Sequence, residues 1–189
     1  MPSKQSGRCS NRRSPADVCV ARIVSGGQTG ADRAALDWAI ANRVPHGGWC
    51  PKGRLAENGM IPRRYRLRQT PTAAYEQRTE WNVRDSNGTV VFSVDARLSG
   101  GSLKTREFAR AHRKPCLHVT AARNTPRAAA RRLLRFVERH RIRVLNIAGP
   151  RASLEPGIRV FVLAVLDLAF GGAKIAATDS AGRIWSPAR

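Results

Sequence analysis

Ile23-Val24-Ser25-Gly26-Gly27-Gln28-Thr29-Gly30-Ala31-Asp32-Arg33-Ala34-Ala35-Leu36-Asp37 decides the fold. A short β-branched apolar run breaks into a Gly-rich turn and passes directly into an Ala/Leu-rich helical pattern: strand, turn, helix. Glycines let the backbone double back without Cβ clashes. The first amides of a helix lack intrahelical acceptors and sit at the positive end of its dipole, so an anion is the natural occupant of such a turn. The turn matches neither G-x-G-x-x-G nor G-x-x-x-x-G-K-[ST]. Taken alone, it is equally a tight βα turn with no ligand.

Working outward, residues 1–17 are basic, polar and rich in Ser, Pro and Gly, which predicts a disordered tail. Ala31, Ala34, Ala35, Trp38 and Ala39 recur at helical spacing and make one apolar face, with Asp32 in the first turn where the dipole favours an acid. A short strand over 44–50 runs into Pro51-Lys52-Gly53-Arg54, a Pro/Gly loop carrying two cations, and Tyr65-Arg66-Leu67 reads as a brief edge strand. Thr70-Pro71 is a sound N-cap and N1 pair, predicting a helix over 70–84. Thr89-Val90-Val91-Phe92-Ser93-Val94 is a strand covered on both faces. Ser99-Gly100-Gly101-Ser102 then opens a helix to about residue 112. A strand over 115–119, a helix opened by Thr125-Pro126 and running to His140, a strand over 144–148, the loop Gly149-Pro150-Arg151 and a helix over 158–170 complete the pattern. Residues 173–189 read as a hairpin or tail.

Alternating strands and helices predict an α/β fold, a doubly wound and mostly parallel sheet with helices on both faces, in one domain over 18–172. The last helix is apolar nearly all round, through Ile158, Val160, Phe161, Val162, Leu163, Val165, Leu166 and Leu168. One sheet face does not cover all of these, which predicts a homo-oligomer, a dimer or tetramer.

The 189 residues carry a formal charge of +21, built from 29 Arg and only five Lys against 13 acids. Such a balance favours anionic partners and nonspecific polyanion binding. The Arg are spread along the chain without the aromatic-interleaved patch that single-strand binders use, so single-stranded nucleic-acid binding ranks third among the functions considered. No apolar run approaches the roughly 20 residues of a membrane span, and no membrane partner is expected. Cys9, Cys19, Cys50 and Cys116 form no C-x-x-C pair and have no His companion at metal-ligand spacing, so no metal site is expected and a reducing cytoplasm is the default.

In an open parallel sheet every βα loop emerges at the carboxyl edge, where ligands bind. Gly26-Gly27-Gln28-Thr29-Gly30, Pro51-Lys52-Gly53-Arg54, Ser99-Gly100-Gly101-Ser102 and Gly149-Pro150-Arg151 all follow strands and are expected on one rim. Two Gly-Gly turns with Lys52, Arg54 and Arg151 suit a phosphate-bearing ligand.

Residues 25–37, Gly48-Trp49-Cys50-Pro51-Lys52-Gly53-Arg54, Gln77-Arg78-Thr79-Glu80-Trp81-Asn82-Val83-Arg84-Asp85-Ser86 and Asn146-Ile147-Ala148-Gly149-Pro150-Arg151-Ala152-Ser153 together resemble the molybdenum carrier family, over about residues 22–170. That family belongs to a Rossmann-like group containing the cytokinin-activating phosphoribohydrolases and DNA-processing protein A. The resemblance implies a Rossmann-like fold, oligomerisation, and binding of the molybdenum cofactor (molybdopterin) or a related nucleotide-like anion. It also implies that Arg78, Asn82 and Asp85, which share one helical face, point into the pocket; Asp32 is either an inward-facing orienting acceptor for the ligand or a plain first-turn helix acid. Cys50 is a conceivable soft ligand, against a plain buried Cys.

The alternative from the enzyme class is a nucleoside-monophosphate N-glycosidase. The phosphoribohydrolases carry P-G-G-x-G-T-x-x-E; here Ser99-Gly100-Gly101-Ser102-Leu103-Lys104-Thr105-Arg106-Glu107 replaces the Pro and lacks the third Gly. Glu80 and Glu107 are the candidate acids for such a cleavage, each equally a solvated helix residue. His46, His112, His118 and His140 form no triad with a motif-placed Ser or Cys, so nucleophilic hydrolysis gains no support.

Overall fold

The computed structural model describes residues 20–171; the predicted tails over 1–17 and 173–189 lie outside the described residues. The central sheet has five strands, β1 (Arg22–Val24), β2 (His46–Gly47), β7 (Gly88–Ser93), β8 (Cys116–Thr120) and β9 (Val144–Ala148), in the order β2-β1-β9-β7-β8. All four pairings are parallel. Helices α1 (Ala31–Ala41), α4 (Pro126–Arg139) and α5 (Ile158–Phe170) pack side by side on one face, and α2 (Tyr75–Arg84) and α3 (Gly100–Ala111) on the other. Small ribbons flank this layer: β3 (Trp49–Cys50) with β6 (Arg68–Gln69), and the hairpin β4 (Leu55–Ala56) to β5 (Gly59–Met60). The doubly wound parallel architecture is the one expected from the alternation of patterns.

The main core lies between the sheet and α1, α4 and α5. Ile23, Val90, Phe92, Leu145 and Ile147 meet Ala34, Ala35, Leu133, Val162, Val165 and Leu166, all with no exposed surface. Each fully buried Leu or Ile here stabilises the fold by about 1.5–3 kcal/mol. β7 is buried at all six positions, as expected of a strand covered on both faces. The opposite sheet face is more polar, and there Asn146 Nδ2 donates to Thr89 Oγ1 (3.2 Å).

Helix α4 begins where its sequence says, with Thr125 Oγ1 accepting from Ala128 N–H (3.3 Å) and Pro126 at the first position. Helix α2 does not. It starts at Tyr75, five residues after the expected cap. Thr70 is held extended instead, its N–H donating to Cys50 O (2.9 Å) and its hydroxyl to Thr72 O (2.9 Å), so long-range pairing overrides its capping preference. The edge strand expected at residues 65–67 forms at Arg68–Gln69, because Tyr65 turns inward to a second small core with Leu36, Cys50 and Ile61.

Candidate functional site

The loops after β1, β7 and β9 surround a cavity of about 590 Å³ at the carboxyl edge of the sheet. That volume is in the range of small-molecule sites. The helices after β1 and β9 lie on one sheet face and the helix after β7 on the other, so the loops diverge and leave a crevice, as they do where strand order reverses. Gln28 and Asp32 come from the first loop and the start of α1, Ser99, Gly100, Gly101 and Ser102 from the second loop and the start of α3, and Gly149, Pro150 and Arg151 from the third loop. Arg78 reaches in from α2, and Arg97, Lys104, Glu76, Asp95 and Glu155 add charge of both signs. These last five escaped the sequence reading because no motif marks them.

Two amides of the turn over 26–30 are taken by its own side chains and by Asp32, and the Ala31 amide that follows is taken by the third loop. Gln28 N–H donates to Asp32 Oδ2 (3.2 Å), Thr29 N–H to Gln28 Oε1 (3.0 Å) and Ala31 N–H to Pro150 O (3.3 Å). Gly30 has φ of 74°, and a Cβ there would lie 2.5 Å from Pro150 O, so only glycine lets the first and third loops touch. Gly26, Gly27, Thr29 and Gly30 are buried beside the cavity and do not line it.

The start of α3 is different. Ser102 and Leu103 N–H both donate to Ser99 O (3.1 Å each), while no acceptor among the described residues takes the N–H of Gly100 or Gly101. Nothing lies within 4 Å of a Cβ built on either glycine. Two unclaimed amides thus lie at the positive end of a 12-residue helix whose first residues line the cavity.

At the cavity wall Asp32, 2% exposed, accepts from Arg78 Nη1 (3.0 Å). Burial pushes its carboxyl above the ordinary value, and the Arg78 charge with the Gln28 N–H pulls it part of the way back. A Cβ on Gly26 would stand 1.7 Å from Arg78 Nη1, so this glycine makes room for the ion pair. Gln28 Oε1 accepts from both Thr29 N–H and Glu57 N–H (3.0 Å each), which identifies that end of the amide as the oxygen. Gln28 Nε2 and Arg78 Nε are buried without acceptors among the described residues.

Glu57, which carries no sequence signal, straps the β4–β5 hairpin across two loops. Its carboxylate accepts from Thr29 Oγ1 and Ser153 Oγ and faces Arg151 Nε at 3.8 Å. Burial works to raise the Glu57 carboxyl, but the Ser153 and Thr29 hydrogen bonds outweigh it and hold it below the ordinary range.

Several expected residues lie elsewhere. Lys52, Gly53 and Arg54 form a 3-10 turn away from the cavity. Arg54 donates to four carbonyls, Ile61 O (3.0 Å), Leu67 O (3.2 Å), Pro62 O (2.9 Å) and Tyr65 O (3.0 Å), and so staples the 61–67 loop. Gly53 N–H donates to Gln69 Oε1 (2.7 Å). Asn82 is buried against β3, accepting from Trp49 N–H (2.8 Å) and donating to Trp49 O (2.9 Å), and Asp85 accepts from Trp49 Nε1 (2.8 Å). Both border a smaller concavity of about 170 Å³ at the amino ends of β1 and β9, with Arg22, Arg66 and Arg68. The shared helical face of Arg78, Asn82 and Asp85 is real, but the helix runs along the sheet and only its Arg78 end reaches the carboxyl edge. Glu80 meets His112 Nε2 (3.0 Å), Glu107 meets Lys104 (3.4 Å), and neither lines the cavity. Cys50 is fully buried, its thiol donating to Arg68 O (3.4 Å) and pushed up by burial.

One contact was not foreseen: Ser93 Oγ lies 2.7 Å from His118 Nε2 at the cavity floor. The Ser93 hydroxyl donates to Asp95 O (2.7 Å). His118 is therefore its donor and no base for it. No group of three His, Cys, Asp or Glu among the described residues is placed to hold a metal ion. No helix among them is long and apolar enough to cross a membrane.

Residues 23–170 match the model of the circularly permutated YpsA SLOG family. The crystal structure of a protein named "putative molybdenum carrier protein", from Syntrophus aciditrophicus SB, is similar at 48% identity with a TM-score of 0.79, over 80% of this chain and 96% of that one. No curated protein matches the chain.

Proposed function

This chain belongs to the circularly permutated YpsA SLOG family, and from that premise we propose that it is a carrier that holds a phosphate-bearing, nucleotide-like anion at the carboxyl edge of its sheet, with molybdenum cofactor as the cargo. The observation that carries the reading is the start of α3: Gly100 and Gly101 line a cavity of about 590 Å³, open space lies where a Cβ on either would stand, and their N–H groups have no acceptor among the described residues. A terminal phosphate fits that end, within the field of Lys104, Arg97 and Arg151. The Asp32–Arg78 pair and the unpaired Gln28 Nε2 supply hydrogen bonds for a polar ring system. Molybdenum cofactor, a pterin with a dithiolene and one phosphate, has both parts. The name of the similar Syntrophus protein supports the same cargo. The carrier works as a cytoplasmic homo-oligomer, a reading supported by the free thiols of Cys50 and Cys116 and by the exposed apolar side of α5.

Gly101→Asp tests the site. The added side chain meets open space and an acid in the first turn suits the helix dipole, so the fold keeps or gains stability. The same carboxylate repels a phosphate. Native mass spectrometry of the wild-type chain purified from its own host should show a bound mass near a pterin phosphate, absent from the variant. A bare wild-type chain, or a variant that keeps the ligand, refutes the reading.

A further inference from the structure

We propose that the outward face of α4 is a docking surface for the phosphate backbone of a single nucleic-acid strand, independent of the cavity. Arg127, Arg131, Arg135 and Arg139 recur every fourth residue along α4, and all four are exposed. At 1.5 Å per residue this row advances about 6 Å along the axis and turns about 40° per step, spanning about 18 Å in all, an axial step comparable to that between neighbouring phosphates of a strand. The opposite face of α4, Ala129, Ala130, Leu133, Phe136 and Val137, is locked into the core, so the direction of the row is fixed.

Among the described residues none of the four guanidinium groups has an ion-pair partner. Arg132, one position off the row, is by contrast tied to Asn124 Oδ1 (3.0 Å) and His118 O (3.3 Å). Like charges four apart on a helix disfavour it, and Glu138 is the only acid in α4. An anion chain along the row relieves that repulsion. Guanidinium groups bind phosphate bidentately. The large exposed apolar side chains among the described residues are all off α4, so α4 lacks the apolar face that an interfacial membrane helix inserts. The row winds obliquely around the outward side of α4, and a flexible single strand follows it more readily than a stiff duplex does.

The test is fluorescence anisotropy of a 20-nucleotide oligothymidine with the full chain between 50 and 200 mM salt. The row variant Arg127→Gln/Arg131→Gln/Arg135→Gln/Arg139→Gln is compared with a control of equal charge loss, Arg43→Gln/Arg63→Gln/Arg66→Gln/Arg110→Gln. Gln and Arg have similar helix propensity, and circular dichroism checks that both variants fold. Four phosphate contacts carry a slope of about −3 in log K against log salt. The wild type should therefore lose about 50-fold more affinity than the row variant over this range, with the control close to wild type. Equal losses in the two variants would assign the binding to net charge and overturn the proposal. So would a wild type that ignores the oligonucleotide, or one whose row is needed only for phosphatidylserine vesicles.

Discussion

Replacing Arg78 by Met isolates the charge that sustains Asp32. Met retains most of the apolar stem, while Asp32, with a side chain 3% exposed, loses its counter-ion. Removing one partner of a buried pair costs about 3–5 kcal/mol, a large share of the about 5–15 kcal/mol that holds a domain together. With a urea slope near 2 kcal/mol per molar, the midpoint should fall by about 2 M at pH 7.5. The pH dependence has a definite sign. Burial already places the Asp32 carboxyl above its ordinary 3.8, so from that value upward the folded state keeps a proton that the unfolded chain releases, and stability falls as pH rises. Without Arg78 the carboxyl moves further up and the window widens. The deficit should therefore be deep at pH 7.5 and shrink to about 1 kcal/mol, the worth of one hydrogen bond, near pH 4. Adding Asp32→Asn should recover more than half of the loss at pH 7.5, because Asn still accepts the Gln28 N–H and carries no charge. Urea unfolding of both variants across pH measures this. A loss independent of pH, or one that Asp32→Asn deepens at pH 7.5, would refute the reasoning.

Cys116 has its thiol raised to about 11 by burial, against a small opposing pull from Arg106. Iodoacetamide labelling of the folded chain, read at that residue by peptide mass spectrometry, should stay slow at pH 8 and climb through pH 10; a plateau by pH 9 would contradict the shift. On α5, Val160 is 72% and Leu168 47% exposed on the side turned away from the sheet. Sedimentation equilibrium at micromolar concentration should show a dimer or tetramer, which Val160→Asp/Leu168→Asp dissociates; a monomeric wild type would sink the oligomer.

The fold was legible because its signals are local. The β-rich run over 89–94, the Thr125-Pro126 cap and the helical spacing of Ala31, Ala34, Ala35 and Trp38 each report on their own few neighbours, and alternating strand and helix periods leave a parallel sheet as the economical arrangement. Where a local rule met a distant partner it lost. Thr70 would cap a helix in isolation, but the carbonyl of Cys50 captures its N–H.

The site divides along the same line. Composition and turn residues located the Gly-Gly turns and the loops after β1, β7 and β9, and the row of arginines over 127–139 is written in the sequence as a four-residue repeat. Which turn opens on the cavity is another matter. Gly26–Gly30 and Ser99–Ser102 look alike in one dimension, yet the glycines of the first are buried under Arg78, Leu67 and Pro150 while those of the second line the cavity. Likewise Arg54 and Arg78 are equal cations in sequence, one consumed by four carbonyls and the other set in the cavity wall. Free hydrogen-bonding capacity is what remains after every long-range neighbour has taken its share. The sequence determined the strands, helices and anion-friendly turns, and only the tertiary structure decided which of them opens on the cavity and which cations other groups had already consumed.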